Sequence, residues 1–202
     1  MDPLVVEAMQ PYFSEKFFNP SSPYAAGVAV KRDYQAAKAR IAQVLGVVAD
    51  ELVMTAGATE SVNLAFQAAQ QTTCAVATIE HASVLSAAGR YAKPVLIQPD
   101  HKGRISPEAV KQALTPEVGF VSIALANHEL GYVQPIEEIA RVIQVERERR
   151  QSAGESTPLL FHTDASQAAA LLDVKVKRLG VDLLTLSAAK VLSLIHISEP
   201  TR

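Results

Sequence analysis

The sequence predicts an α/β fold, a largely parallel sheet covered by helices on both faces. Apolar, β-rich runs alternate along the chain with segments whose apolar residues recur at helical spacing. Half of the 202 residues are apolar, enough to bury roughly 70% of the unfolded surface in one domain or slightly more. The loops that follow the apolar runs carry polar or reactive residues, which is where α/β sheets place their ligands.

The first helix is expected to start at Asp2 and Pro3, a capping residue followed by a proline at the first helical position, with Val5, Ala8, Met9 and Tyr12 on one face. A second helix spans roughly 24–45, with Ala37, Ile41, Val44 and Leu45 inward and Gly46 as its stop. ELVMT then reads as a strand leading into GATES and a helix with Val62, Ala65, Phe66 and Ala69 inward. CAVATI leads into EHASVLSAAGRYA, and KPVLIQP into a short helix after Pro107. VGFVSIALA ends in NHELG, followed by a helix with Ile136, Ile139, Ala140 and Ile143 on one stripe. Its far end, ERERR, reads as a solvated face. The polar stretch QSAGESTP precedes two further strands, PLLFHTDA and VDLLTLSA, separated by a short helical segment.

A net charge of −2 with both signs interspersed leaves no footprint for nucleic acid or an anionic membrane. The chain has no apolar run long enough to span a bilayer and no leader pattern at its start, so a cytoplasmic location is expected. Its single cysteine, Cys74, opens CAVATI and reads as a small buried hydrophobe, with no cysteine-rich metal site possible.

GATES, residues 57–61, joins a strand to a helix. Its glycine and alanine allow close backbone approach, Thr59 adds a hydroxyl, and the free N–H groups of the helix start suit a phosphate; ordinary helix capping is the plain alternative. Asp164 and Lys190 each end a strand, with one crossover between them, so neighbouring parallel strands would bring them to the same edge. A lysine so placed can form a Schiff base with an aldehyde cofactor, and a carboxylate can hold a pyridinium nitrogen protonated. Taken singly, the aspartate also reads as a turn residue and the lysine as a solvated one. His81, after a strand in IEHAS, could stack on a flat ring or move a proton. Gln167 and Asn127 could reach a ring substituent, or be satisfied polar groups.

In order, FNPSS at 18–22, TAGATESVNLA at 55–65, IEHASVL at 79–85, ANHELGYVQPIEEI at 126–139, FHTDASQ at 161–167 and VDLLTLSAAK at 181–190 resemble the class V aminotransferase family, and within it the cysteine desulfurases. The resemblance implies the large domain of the fold type I pyridoxal-phosphate enzymes, with a mostly parallel, seven-stranded-type sheet, here incomplete. It implies Lys190 as the lysine that carries pyridoxal 5'-phosphate, Asp164 as the partner of its ring nitrogen and His81 as the histidine that stacks on the ring and assists proton transfer. Ala58, Thr59 and Ser187 resemble the phosphate ligands, and Asn127 and Gln167 the contacts to the ring and its hydroxyl. The implied reaction takes sulfur from L-cysteine, leaves alanine, and passes a persulfide to an acceptor or scaffold protein for iron–sulfur cluster assembly or RNA thiolation. The family works as a homodimer. A selenocysteine lyase or a true aminotransferase would share the same cage, and a short non-catalytic protein that keeps the fold is a third reading.

Three departures accompany the resemblance. Ala189 stands where the family has a phosphate-binding histidine, His128 where it has the second asparagine of a pair, and the strand that opens the family pattern is missing before the first helix. Residues 1–190 are expected to be the partial large domain. The remainder, which ends in SLIHISEPTR, resembles a translated sequencing adapter, so 191–202 are expected to be non-native. Without the region that would carry the persulfide cysteine, the chain as written is expected not to complete desulfuration.

Overall fold

The computed structural model describes residues 1–69, 72–91 and 93–191. Five parallel strands form one sheet: β1 (Thr73–Ala77), β2 (Val95–Ile97), β3 (Val118–Ser122), β4 (Leu160–Asp164) and β5 (Leu183–Thr185). They stand in the order β2-β1-β3-β4-β5, so β3 and β4 are internal and β5 lies at one edge. The crossovers are helical: α4 (Ala58–Gln67) precedes β1, α5 (Ala82–Tyr91) and α6 (Pro107–Ala113) flank β2, α7 (Ile136–Ser152) joins β3 to β4, and the short α8 (Val176–Leu179) precedes β5.

Alternate residues of the strands feed two apolar layers, as the two-residue period of a strand requires. Cys74, Val76 and Phe120 pack with Val62, Ala65 and Phe66 of α4 and with Val84, Ala87 and Ala88 of α5. Ala75, Ala77, Val121 and Phe161 pack on the other face with Val110 of α6, Ile136, Ile139 and Ile143 of α7, and Leu179 of α8. Helices thus cover both faces of a parallel sheet, as predicted. The inward residues expected after GATES, namely Val62, Ala65, Phe66 and Ala69, are all buried.

Four local expectations are corrected. ELVMT is not a strand: Ala49–Glu51 form a 3₁₀ turn, residues 52–55 lie outside the sheet, and Val53 and Met54 are exposed. No described strand runs alongside this segment to accept its backbone bonds, and β-propensity alone does not make a strand. The first helix, α1 (Pro3–Met9), has its Asp2 cap, the carboxylate accepting the Leu4 N–H, and α2 (Pro11–Ser14) follows. Their apolar stripe nevertheless buries no residue fully, and Leu4, Phe13 and Phe17 face solvent.

The long helix α3 (Ala25–Leu45) ends at Gly46 and buries Leu45 as expected, with Ala37 half-buried, but Ile41 and Val44 are exposed and Gly27, Val30 and Ala42 are buried instead. Gly27 lies close against the turn before the helix, since a Cβ there would stand 2.7 Å from the Asn19 carbonyl oxygen and 2.8 Å from that of Ser22. Finally, ERERR is not wholly solvated. Arg150 is 2% exposed and donates to the carbonyls of Val118 (2.7 Å) and Thr115 (2.9 Å) while bonding Glu146 at 2.7 Å. A guanidinium carries enough donors to be buried when each finds an acceptor, and this one ties the end of α7 to the start of β3.

The five strands found are fewer than the seven-stranded type that the resemblance implies. The expected tail, 191–202, lies outside the described residues except for Val191. No helix among the described residues is long and apolar enough to cross a membrane.

Candidate active site

The carboxyl ends of β1, β3, β4 and β5 converge on the loops that the sequence singled out. Asp164 is the last residue of β4 and pairs in register with Thr185, the last residue of β5. The turn that carries Ser187 and Lys190 follows directly, with the Lys190 N–H donating to the Ser187 carbonyl. The expected placement of the aspartate and the lysine on one edge therefore follows from adjacency of their strands. Their surroundings differ. Asp164 is 9% exposed; its Oδ1 accepts the Ser166 N–H at 2.9 Å, and no described residue bonds Oδ2. Lys190 is exposed and pairs with no carboxylate among the described residues.

GATES opens α4, with Gly57 as its N-cap. Glu60 reaches back to the Ala56 N–H at 2.5 Å, which fixes the turn before the helix without a side chain capping it. The N–H groups of Ala58, Thr59 and Glu60 find no acceptor among the described residues. Thr59 is exposed beside them. Ser61, one residue further, bonds Thr185 at 2.9 Å and so fixes this helix start to the end of β5.

His81 lies between β1 and α5. Its Nδ1 accepts the Ser83 N–H at 3.1 Å and lies 2.7 Å from the Ser83 hydroxyl. That bond places the proton of the neutral ring on Nε2. The ring of His128 stands 6.0 Å away, centroid to centroid. Asn127 is largely committed to its own loop, with Nδ2 donating to the Ile79 carbonyl at 2.7 Å and Oδ1 accepting the N–H groups of Glu129 and Leu130. It joins the turn after β3 to the turn after β1 and keeps one N–H to spare. Gln167 and Ser187 are half-buried, and so is Ala189. Cys74 is fully buried near the amino end of β1, and burial pushes its thiol up to about 11, so it takes no part in this edge.

Two buried groups escaped the sequence reading. His162, two residues before Asp164, bridges three strands: its Nδ1 lies 2.9 Å from the Ser122 hydroxyl and its Nε2 3.0 Å from that of Thr185, which continues to Ser61. Burial lowers the imidazole to about 4, opposed by the nearby Asp164, so the ring is neutral. Phe120 stacks on it at 5.9 Å. The second group is Glu80, 7% exposed, whose Oε1 accepts the Ala124 N–H at 2.7 Å. The alternation rule could have flagged His162 as inward-facing within an apolar run; nothing marked Glu80 beside the more conspicuous His81.

The class V aminotransferase family model matches residues 1–195. The chain belongs to the class V aminotransferase family. That is a family of enzymes, and the curated relatives point within it. Cysteine desulfurase IscS of Anaeromyxobacter sp. (strain K) is 35% identical over 201 residues, covering 94% of this chain and 47% of the relative. The protein of that name from Methanosarcina thermophila is 34% identical over 193 residues, covering 91% of this chain and 45% of the relative. Among solved structures, one described as SspA in complex with cysteine superposes with a TM-score of 0.84 at 32% identity, covering 95% of this chain and 55% of that one. A NifS-like protein from Rickettsia africae superposes at 0.82 with 26% identity, covering 95% and 52%. The parallel sheet and its flanking helices match those of the NifS-like proteins. This class V chain spans about half the length of the curated relatives it matches.

Proposed function

We propose that the chain supplies the cofactor-binding part of a pyridoxal-phosphate-dependent cysteine desulfurase. The observation that carries this reading is the pairing of β4 with β5, which sets Asp164 and the Lys190 turn at the ends of adjacent parallel strands within a class V chain.

The residues present fit the cofactor. Among the described residues, Asp164 keeps one carboxylate oxygen open while the other is anchored, and the buried Ser166 hydroxyl beside it has no partner. The first turn of α4 offers unpaired N–H groups for a phosphate, with the Thr59 and Ser187 hydroxyls as further donors. Ala189 removes the charge-assisted donor that a histidine would add there, about 1.5–3 kcal/mol. When bound, the cofactor supplies an aldehyde carbon that an amine can join and a pyridinium ring that withdraws electrons from an attached amino acid.

The rest is the work of this chain's side chains. The Asp164 carboxylate holds the ring nitrogen protonated. Ala58, Thr59 and Ser187 orient the phosphate, and Gln167 with the spare N–H of Asn127 addresses the ring hydroxyl. Lys190 Nζ would be the amine that holds the aldehyde carbon and, when free, the base positioned to accept a proton from the L-cysteine Cα. His81, its Nδ1 held by Ser83, would stack on the ring and move protons at Nε2. The closing sulfur transfer, the homodimer, and the acceptor protein for iron–sulfur assembly or RNA thiolation belong to the same proposal. The likeness to cysteine desulfurases, one solved relative being a complex with cysteine, favours L-cysteine over selenocysteine or a transamination substrate.

Titration of the chain with pyridoxal phosphate tests the reading. A visible absorption band should appear, and L-cysteine should change it while L-alanine leaves it largely unaltered. No band in the folded protein, or a band indifferent to L-cysteine, contradicts it.

A further inference from the structure

Glu80 precedes His81 in the turn after β1, and the proposed chemistry leaves it without a task. Its carboxyl is almost wholly buried, and its two oxygens are treated differently. Oε1 accepts the Ala124 N–H, whereas Oε2 is buried with no partner among the described residues. The neighbouring Leu125 N–H donates to the backbone carbonyl of Asp164 at 2.9 Å. Two successive N–H groups of the turn after β3 therefore bond the Glu80 carboxyl and the Asp164 backbone carbonyl.

A second ionised carboxylate so close to Asp164, in so dry a place, would be costly. Burial first, and the charge of Asp164 in addition, push Glu80 up to about 8, opposed by the Ala124 hydrogen bond. The group stays protonated near neutrality, with its proton on Oε2.

We propose that Glu80 is a positioning residue for this site: its buried carboxyl fastens the His81 turn to the turn after β3, which in turn holds the end of β4 at Asp164. It acts through His81 and Asp164, not by touching substrate. The His81 turn is otherwise held to the turn after β3 through Asn127 and the Ile79 carbonyl, so Glu80 completes a two-point attachment at residues 79 and 80. The placement of His81 and Asp164 at a cofactor rests on the function proposed above, but the protonation and attachment of Glu80 do not.

The titratable groups around Glu80 are Asp164 and, beyond it, His162 on β4, with His81 on its own turn and His128 opposite. His162 in the unfolded chain is only half titrated at pH 6.5 and adds a smaller change of opposite sign up to about pH 7.5, so the difference between wild type and Glu80→Gln isolates Glu80. Here the folded group retains a proton that the unfolded one has lost, and stability must fall as pH rises.

The test uses the chain without cofactor, as wild type, Glu80→Gln and Glu80→Ala. Between pH 6.5 and 8 the wild-type urea midpoint should drop by roughly 0.5–1 M, and Glu80→Gln should remove that drop. The His81 ring resonances should shift in Glu80→Ala and return to their wild-type positions in Glu80→Gln, which keeps the acceptor for Ala124. An unchanged pH slope in Glu80→Gln, or wild-type His81 resonances in Glu80→Ala, overturns the proposal. Should Glu80→Ala not fold, the Glu80→Gln slope alone decides. With pyridoxal phosphate added, the visible band should acquire a pH step near 8 that Glu80→Gln lacks. Absence of any band refutes the cofactor reading and leaves the stability arm standing.

Discussion

The two residues at the centre of the proposed chemistry occupy unequal ground. Asp164 ends an internal strand, nine-tenths buried, with His162, Ser166 and Glu80 packed around it. Lys190 follows the edge strand, exposed, in a 3₁₀ turn with one backbone bond to Ser187. An internal strand receives hydrogen bonds from both sides and apolar cover from both faces, whereas an edge strand receives neither in full. Among the described residues, Asp164 is thus held by the fold around it, and Lys190 by one backbone bond alone.

The contrast is most easily broken at His162. Replacement by Ala removes a fully buried ring and the bridge between the Ser122 and Thr185 hydroxyls, and should cost about 2–4 kcal/mol in urea denaturation. Lys190→Ala should change stability by no more than about 0.5 kcal/mol. Comparable losses in the two variants would show that the internal and edge positions do not differ as described.

The same histidine gives the acid limb of the stability profile. Its folded value is depressed, so the contribution is complete above the unfolded value near 6.5 and is lost as pH falls through about 4. A decline of up to about 3 kcal/mol is expected across that window, absent in His162→Gln. Together with the opposite limb from Glu80, it predicts a narrow stability maximum near neutral pH, measurable by thermal melts in matched buffers.

Asp164→Asn keeps the acceptor for the Ser166 N–H and removes the charge. It should leave the fold intact and weaken pyridoxal-phosphate binding about tenfold or more in a fluorescence titration. Thr59→Ala, at the exposed start of α4, should weaken it least, by roughly fivefold. A larger effect from Thr59 than from Asp164 would move the binding energy to the phosphate end.

Much of this site was legible because strands and helices alternate with clear periods, and because reactive residues sit where the strands end. GATES, IEHAS, HTDASQ and SAAK all fall on the same edge as expected. What was not legible depended on neighbours distant in sequence. ELVMT has strand-forming residues but no adjacent strand. Gly27 of α3 is buried against the Asn19 and Ser22 carbonyls, a contact that periodicity cannot report. Arg150 looked like one charge in a polar run, and only the start of β3 supplies its acceptors. His162 and Glu80 were hidden by the residues beside them, Asp164 and His81, which carry the more familiar chemistry.

The most direct measurement is to incubate the chain with pyridoxal phosphate, reduce with borohydride and locate the phosphopyridoxyl group by peptide mass spectrometry. The account predicts a single dominant adduct on Lys190, lost in Lys190→Ala. An adduct spread over other lysines, or one that persists at the site in Lys190→Ala, would contradict it.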